Sequence, residues 1–257
     1  MPPLVHTDSS SPPARRARPP RVLVVRTGQA DPSVAAAVGD YPEWFRRSLA
    51  PLGVQQEEVA VFEGEVLPYG GRYDGIILTG SGKGVRDEDP WMAMTGRWAL
   101  AMAAHTPVLA VCFGHQLVGE ALGGRVERNP AGPENGMAEV ALTAQGRADP
   151  LFAGLPTALR VPALHDDLVL QEPAPHRFVR LAGNPHTPLQ AFAVGPWLRA
   201  VQFHPELSAP QVQAVLDAHG QAPNLSLLAS DHGARVMENW VRHFLLRAAP
   251  PERRTEE

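Results

Sequence analysis

The chain has 257 residues, enough for one large α/β domain or two small ones, and its 44% hydrophobic and 19% charged content is ordinary for a globular protein. A net charge of −4 excludes a strongly basic nucleic-acid or anionic-membrane binder, and no apolar run approaches the roughly 18 residues needed to cross a bilayer. The single cysteine excludes an internal disulfide and fits a reducing compartment, so a cytoplasmic protein is expected.

Residues 1–20 carry PPARRARPP and serine runs with no apolar segment, which predicts a disordered tail, matched by a second over residues 249–257. A single folded domain is expected over residues 21–248. RVLVVR, Arg21 to Arg26, is the first core strand. The connection after it is long and carries Tyr41, Trp44 and Phe45, which either shape a binding site or pack the start of a helix near Trp44 to Leu49. Strands follow around Val54 to Phe62 and over Tyr73 to Thr79, the latter apolar enough to be central. That strand runs into Gly80-Ser81-Gly82-Lys83-Gly84, a turn whose backbone N–H groups can approach an anion closely. Its spacing lacks the GxxxxGK(S/T) pattern of a nucleotide-phosphate loop. Lys83, the only lysine beside 22 arginines, reads as an exposed loop residue. Pro90 to His105 is predicted helical.

VLAVCFGHQLVGEALGG, Val108 to Gly124, is the stretch on which the chain turns. A buried strand over Val108 to Val111 meets Cys112, and a helix starts at Phe113 and stops at Gly123-Gly124. This is the elbow geometry, which holds a nucleophile at the sheet's C-terminal edge in strained backbone between small neighbours, here Ala110 and Gly114. The free N–H groups and positive dipole end of the helix favour the thiolate, the reactive form. Gln116, four residues on, shares the helical face of Cys112.

The segments that follow are short and alternating: Arg125 to Glu127, Met137 to Leu142, Leu159 to Leu170, Phe178 to Ala182 and Leu189 to Val194. They predict an antiparallel flank on a parallel sheet. VQFHPEL, Val201 to Leu207, then delivers His204 and Glu206. On an extended chain residues two apart project to one side, so Glu206 can hold the His204 ring while its other nitrogen faces a thiol. Helices are predicted over Pro210 to His219 and Ala234 to Leu246.

Two stretches, Cys112-Phe113-Gly114-His115-Gln116 with Leu122-Gly123-Gly124, and Gln202-Phe203-His204-Pro205-Glu206, resemble the class I (triad) glutamine amidotransferase domain, the kind found in GMP synthase and carbamoyl phosphate synthase. The resemblance extends over about Arg21 to Ala248. It implies a three-layer α/β fold of the class I glutamine amidotransferase (flavodoxin-like) type, with a mostly parallel central sheet and an antiparallel flank. It further implies a catalytic triad of Cys112, His204 and Glu206, with Gly80, Ser81, Gly82 and the N–H of Phe113 at the oxyanion and Gln116 positioning the substrate. His165-Asp166-Asp167-Leu168-Val169 is similar to the family's pocket-lining segment, which makes His165 either a substrate contact or a structural histidine bonded to Asp167. Three positions depart from the family pattern: Ala110 for glycine before the cysteine, Lys83 in the glycine loop, and Leu164 for a pocket serine.

The chemistry so implied is attack of Cys112 on the side-chain amide of glutamine, a γ-glutamyl thioester, and release of ammonia and glutamate. It needs no cofactor and no metal. Family members carry or bind a synthetase that consumes the ammonia, so a separate synthetase subunit is the expected partner. A γ-glutamyl peptide hydrolase using the same triad is the alternative substrate reading. A non-catalytic regulatory homologue is a further one, and the intact triad argues against it.

Overall fold

The computed structural model describes residues 18–70 and 73–246. Both expected tails lie outside these residues except for Arg18, Pro19 and Pro20. There Arg18 is ion-paired with Asp74 at 2.7 Å, and the Pro20 carbonyl accepts from the Gln55 amide at 2.8 Å.

The chain begins with β1 (Arg21–Arg26), whose four consecutive buried residues are covered on both faces, as expected of a strand inside a parallel sheet. The long connection after it holds α1 (Pro32–Val38) and α2 (Tyr41–Leu49). Helix α2 starts earlier than Trp44 because Asp40 and Glu43 form a capping box and Pro42 sits in its first turn. Then come β2 (Gln55–Ala60), β3 (Gly75–Leu78), α3 (Pro90–Met102), β4 (Val108–Val111) and α4 (Phe113–Ala121). The second half contains β5 (Arg125–Arg128), β6 (Glu134–Leu142), α5 (Ala144–Ala148), β7 (Ala158–His165), β8 (Asp167–Gln171), β9 (Val179–Gly183), β10 (Ala191–Val194) and β11 (Leu198–Val201). Helices α6 (Ala209–Ala218) and α7 (His232–Trp240) close the fold, α7 running on into a π-turn over Val241–Leu245.

Nine strands form one sheet in the order β2-β1-β3-β4-β11-β10-β9-β6-β7. The run β2-β1-β3-β4-β11 is parallel, and the strands beyond β11 pair antiparallel. Side chains alternate between two cores. Val22, Val24, Ile77 and Leu109 face α2 and α7 through Phe45, Leu49, Val236 and Trp240. Leu23, Val25, Ile76 and Leu78 face α3 and α4 through Trp98, Phe113 and Leu117. The result is three layers, helix on sheet on helix, with the strand ends of β3, β4 and β11 meeting at one edge.

The predicted run Leu159 to Leu170 breaks at Asp166. Strand β7 pairs with β6 in the large sheet, while β8 leaves it to pair with β5 in a separate two-stranded sheet. A sequence run cannot reveal that split, because it is decided by the pairing of β7 with β6 and of β8 with β5, strands far upstream in the chain.

Helix α4 reaches its place beside β3 because Gly114 carries no side chain. A Cβ there would lie 2.7 Å from the Leu78 Cβ and 3.0 Å from the Leu78 carbonyl oxygen. Gly114→Ala is therefore expected to overpack this contact and lower the unfolding free energy by about 1–3 kcal/mol. Chemical denaturation reads it as a lower midpoint, and an unchanged midpoint would mean that the helix start slides freely.

Candidate active site

Cys112 occupies the N-cap of α4 with φ 52° and ψ −104°, a region that non-glycine residues rarely visit. Its amide donates to Val201 O at 2.8 Å, its carbonyl accepts from the Gln116 amide at 3.1 Å, and the Gly114 amide donates to Thr79 O at 3.1 Å. Those bonds tie the elbow to β11 on one side and to β3 on the other. The thiol is buried, at 6% exposure. It faces a cleft of about 410 Å³ at the strand ends.

His204 comes from the chain just after β11, and its amide donates to Pro162 O of β7 at 2.8 Å. His204 and Glu206 are brought together by a turn, closed by the Leu207 amide on His204 O at 3.3 Å, and not by an extended strand as the spacing suggested. Within that turn His204 Nδ1 lies 2.7 Å from Glu206 Oε1, and the ring interacts electrostatically with the Cys112 sulfur. Burial pushes the imidazole toward its neutral form. The Glu206 carboxylate and the Cys112 sulfur outweigh burial and hold the ring well above the ordinary histidine range. His204 thus stands between a carboxylate and a sulfur that both favour its protonated form.

The glycine turn closes the other side. A Cβ on Gly80 would stand 3.1 Å from His204 Cε1 and 3.7 Å from the Cys112 Cβ, so a side chain there would press on the His204 ring. Ser81, Gly82 and Phe113 line the cleft. Among the described residues, no hydrogen bond engages the amides of Gly80, Ser81, Gly82 or Phe113. Lys83 is exposed and ion-paired with Asp89 at 2.6 Å. Tyr41 and Trp44 line the cleft while Phe45 packs the core, so the two readings of that connection apply to different residues.

Gln116 and His165 line the cleft, and the protein already holds Gln116 Nε2 and both ring nitrogens of His165. Gln116 Nε2 donates to Asp167 O at 2.9 Å and to Gln202 Oε1 at 3.2 Å. His165 places Nδ1 3.1 Å from Asp167 O and Nε2 2.9 Å from Glu134 Oε2, so both ring nitrogens have partners within the protein. Glu134 also accepts from Asn184, Thr187 and Gln190. Burial raises the Glu134 carboxyl, but the bond from His165 and its other donors prevail and hold it below the usual range.

Two residues with no role assigned from sequence stand out. Gln202 is fully buried and points Nε2 at the Cys112 sulfur, 3.7 Å away. Its orientation follows from the Gln116 bond to its oxygen. Gln202 lies inside the QFHPE stretch, and the pairing of Val201 with Val111 puts it beside Cys112, a register no sequence run displays. Glu134, at the start of β6, had no local signal at all. His115, beside the elbow, is pushed down to about 3 by burial and then by His165, and so stays neutral.

Residues 39–217 match the sequence model of the family described as glutamine amidotransferase class-I. The chain is 31% identical over 227 residues to the glutamine-hydrolyzing GMP synthase of Aeropyrum pernix, a match covering 86% of this chain and 36% of that protein. It thus spans about a third of that relative's length. It is 32% identical over 171 residues to one subunit of the glutamine-hydrolyzing GMP synthase of Natronomonas pharaonis, covering 66% of this chain and 84% of that one. A solved glutamine amidotransferase of Thermotoga maritima superposes with a TM-score of 0.68 at 19% identity, covering 89% of this chain and 98% of the other. The three-layer fold is common to both structures. With most of its length inside the family's pattern, the chain belongs to the class-I glutamine amidotransferases.

Proposed function

We propose that the chain hydrolyses the side-chain amide of glutamine through a covalent Cys112 intermediate and hands the ammonia to a separate acceptor protein. The observation that carries this reading is the His204 ring between the Glu206 carboxylate and the Cys112 sulfur, its titration raised well above the ordinary value. An imidazole favoured in its protonated form and aimed at a cysteine sulfur is the arrangement of a nucleophile with its acid in place.

The thiolate attacks the amide carbon, forming a C–S bond and pushing the carbonyl electron pair onto oxygen. The Phe113 N–H and one N–H of the Gly80–Gly82 turn stabilise that oxyanion. One such donor is typically worth about 3 kcal/mol of barrier. His204 delivers its proton to the amide nitrogen as the C–N bond breaks, and ammonia leaves a γ-glutamyl thioester. Water then adds to the thioester carbon, losing a proton to His204. Breaking the C–S bond releases glutamate and restores the thiolate–imidazolium pair. Glu206, bonded to Nδ1, fixes which nitrogen faces the sulfur throughout.

Support for a separate acceptor comes from the relatives. The Natronomonas pharaonis protein is one subunit of a glutamine-hydrolyzing GMP synthase, and the chain covers most of its length. In the Aeropyrum pernix GMP synthase the matching portion is only 36% of the protein.

Purified protein is expected to release glutamate and ammonia from glutamine in equal amounts. Cys112→Ala should lower the turnover by about 10⁴-fold or more, in line with other nucleophile deletions. Turnover that persists in this variant would remove Cys112 from the mechanism, and preference for a γ-glutamyl dipeptide would assign a peptide hydrolase instead. In Glu206→Gln the largest favourable charge on His204 is gone while burial remains. Its imidazole resonance, followed by NMR, is therefore expected to titrate at lower pH than in the wild type. An unmoved titration would contradict the pairing.

A further inference from the structure

Thr27, just beyond the end of β1, and Thr79, just beyond the end of β3, are fully buried, and the mechanism above does not use them. Thr27 Oγ1 lies 2.9 Å from the Gly80 carbonyl oxygen, and Thr79 Oγ1 lies 2.9 Å from the same oxygen. The Thr79 hydroxyl accepts from the Thr27 amide at 3.1 Å, Thr27 Oγ1 also lies 3.1 Å from Thr79 O and from Thr79 Oγ1, and for both hydroxyls the Gly80 oxygen is the nearest acceptor. Two buried hydroxyls thus converge on one carbonyl, on the sheet side of the glycine turn.

A trans peptide is planar, with its C=O and N–H on opposite sides. No peptide bond among the described residues is cis. Fixing the Gly80 carbonyl toward Thr27 and Thr79 therefore fixes the Ser81 N–H in the opposite direction, away from the sheet. Ser81 lines the cleft, and its side chain tucks against Gly28, two residues past the end of β1, where a Cβ would lie 2.5 Å from Ser81 Oγ. Thr79 serves the other half as well: its carbonyl accepts from Gly114, the residue after Phe113, at 3.1 Å. The Ser81 N–H thus shares its peptide with a carbonyl that Thr79 contacts, and the Phe113 N–H lies one peptide before an amide that Thr79 accepts.

We propose that Thr27 and Thr79 are positioning residues that aim the Ser81 N–H, so that Ser81 and Phe113 supply the two donors of the oxyanion pocket. The assignment rests on the Cys112 chemistry proposed above and names which amide of the glycine turn takes part. Its consequence is selective. A reaction at Cys112 that builds a tetrahedral oxyanion should need the two hydroxyls, and one that does not should be indifferent to them.

Two reagents separate these cases without calling on glutamine. With p-nitrophenyl acetate the sulfur attacks the ester carbonyl, an oxyanion forms, and the C–O bond breaks to release nitrophenolate. With iodoacetamide the sulfur displaces iodide directly, the C–I electron pair leaving with the iodide, and no oxyanion appears. In Thr27→Val with Thr79→Val, acylation is expected to slow by about 10- to 100-fold, short of or reaching the loss of a whole donor. Alkylation should keep its wild-type rate, and Thr27→Ser should restore acylation in the single-site background. Should the double variant not fold, Thr27→Val alone carries the same comparison. Acylation that keeps its rate, or acylation and alkylation that fall together, overturns the proposal. Glutamine turnover by the wild type is measured alongside. Its absence would overturn the glutaminase reading, while the acylation-to-alkylation ratio would still decide the role of the two threonines.

Discussion

The backbone of Cys112 sits at φ 52° and ψ −104°, a conformation that costs a non-glycine residue on the order of 1–3 kcal/mol, and neighbouring strands hold it there from two sides. Val201 of β11 receives its amide, and Thr79 beyond β3 receives the amide of Gly114 two residues later. The strain thus persists because a parallel sheet over-determines it. Everything else at the site depends on this elbow, since it sets the sulfur, the first turn of α4 and the Phe113 N–H with one backbone conformation. The burial of β3, β4 and β11 on both faces is what makes the frame stiff enough to do so.

Around the sulfur the electrostatics are one-sided. His204 is the group held toward its positive form by Glu206 and Cys112, and two other titratable rings nearby, His115 and Tyr41, are kept neutral. His115 is driven down by burial and by His165. Tyr41 is driven up by burial and then by the charges of Cys112 and Asp40, so its hydroxyl keeps its proton. Burial thus keeps His115 from standing as a second cation and Tyr41 from losing its proton.

What the sequence displays are features carried by contiguous residues. The run RVLVVR, the apolar VLAV before a cysteine and the glycine stop after GEALGG each appear as β1, β4 and α4. His204 and Glu206 were legible as a pair, though through a turn and not through strand alternation. Gln202, Glu134 and Thr27 were not legible as parts of the site. Each acts through a partner set by strand register or by a fold-back of 30 or more positions, as in the 53-residue separation of Thr27 from Gly80 and the 90-residue separation of Gln202 from Cys112. For the same reason His165 reads ambiguously in sequence, since Glu134, its partner at Nε2, lies 31 residues away.

The cleft divides into an inner wall and a rim of different physical character. On the inner wall, polar atoms are buried and already matched, from Glu134 through His165, Asp167 O, Gln116 and Gln202 to the Cys112 sulfur. Removing one member leaves another unsatisfied away from water, so the wall holds a single arrangement. The rim charges are paired too, Arg128 with Asp166, His219 with Asp31 and Lys83 with Asp89, but these side chains are substantially exposed. Exposed pairs contribute little and exchange readily with water or with another charge. The atoms that must meet a bond-making geometry therefore sit in the part of the site that cannot rearrange, and the charges that meet an entering molecule sit in the part that can.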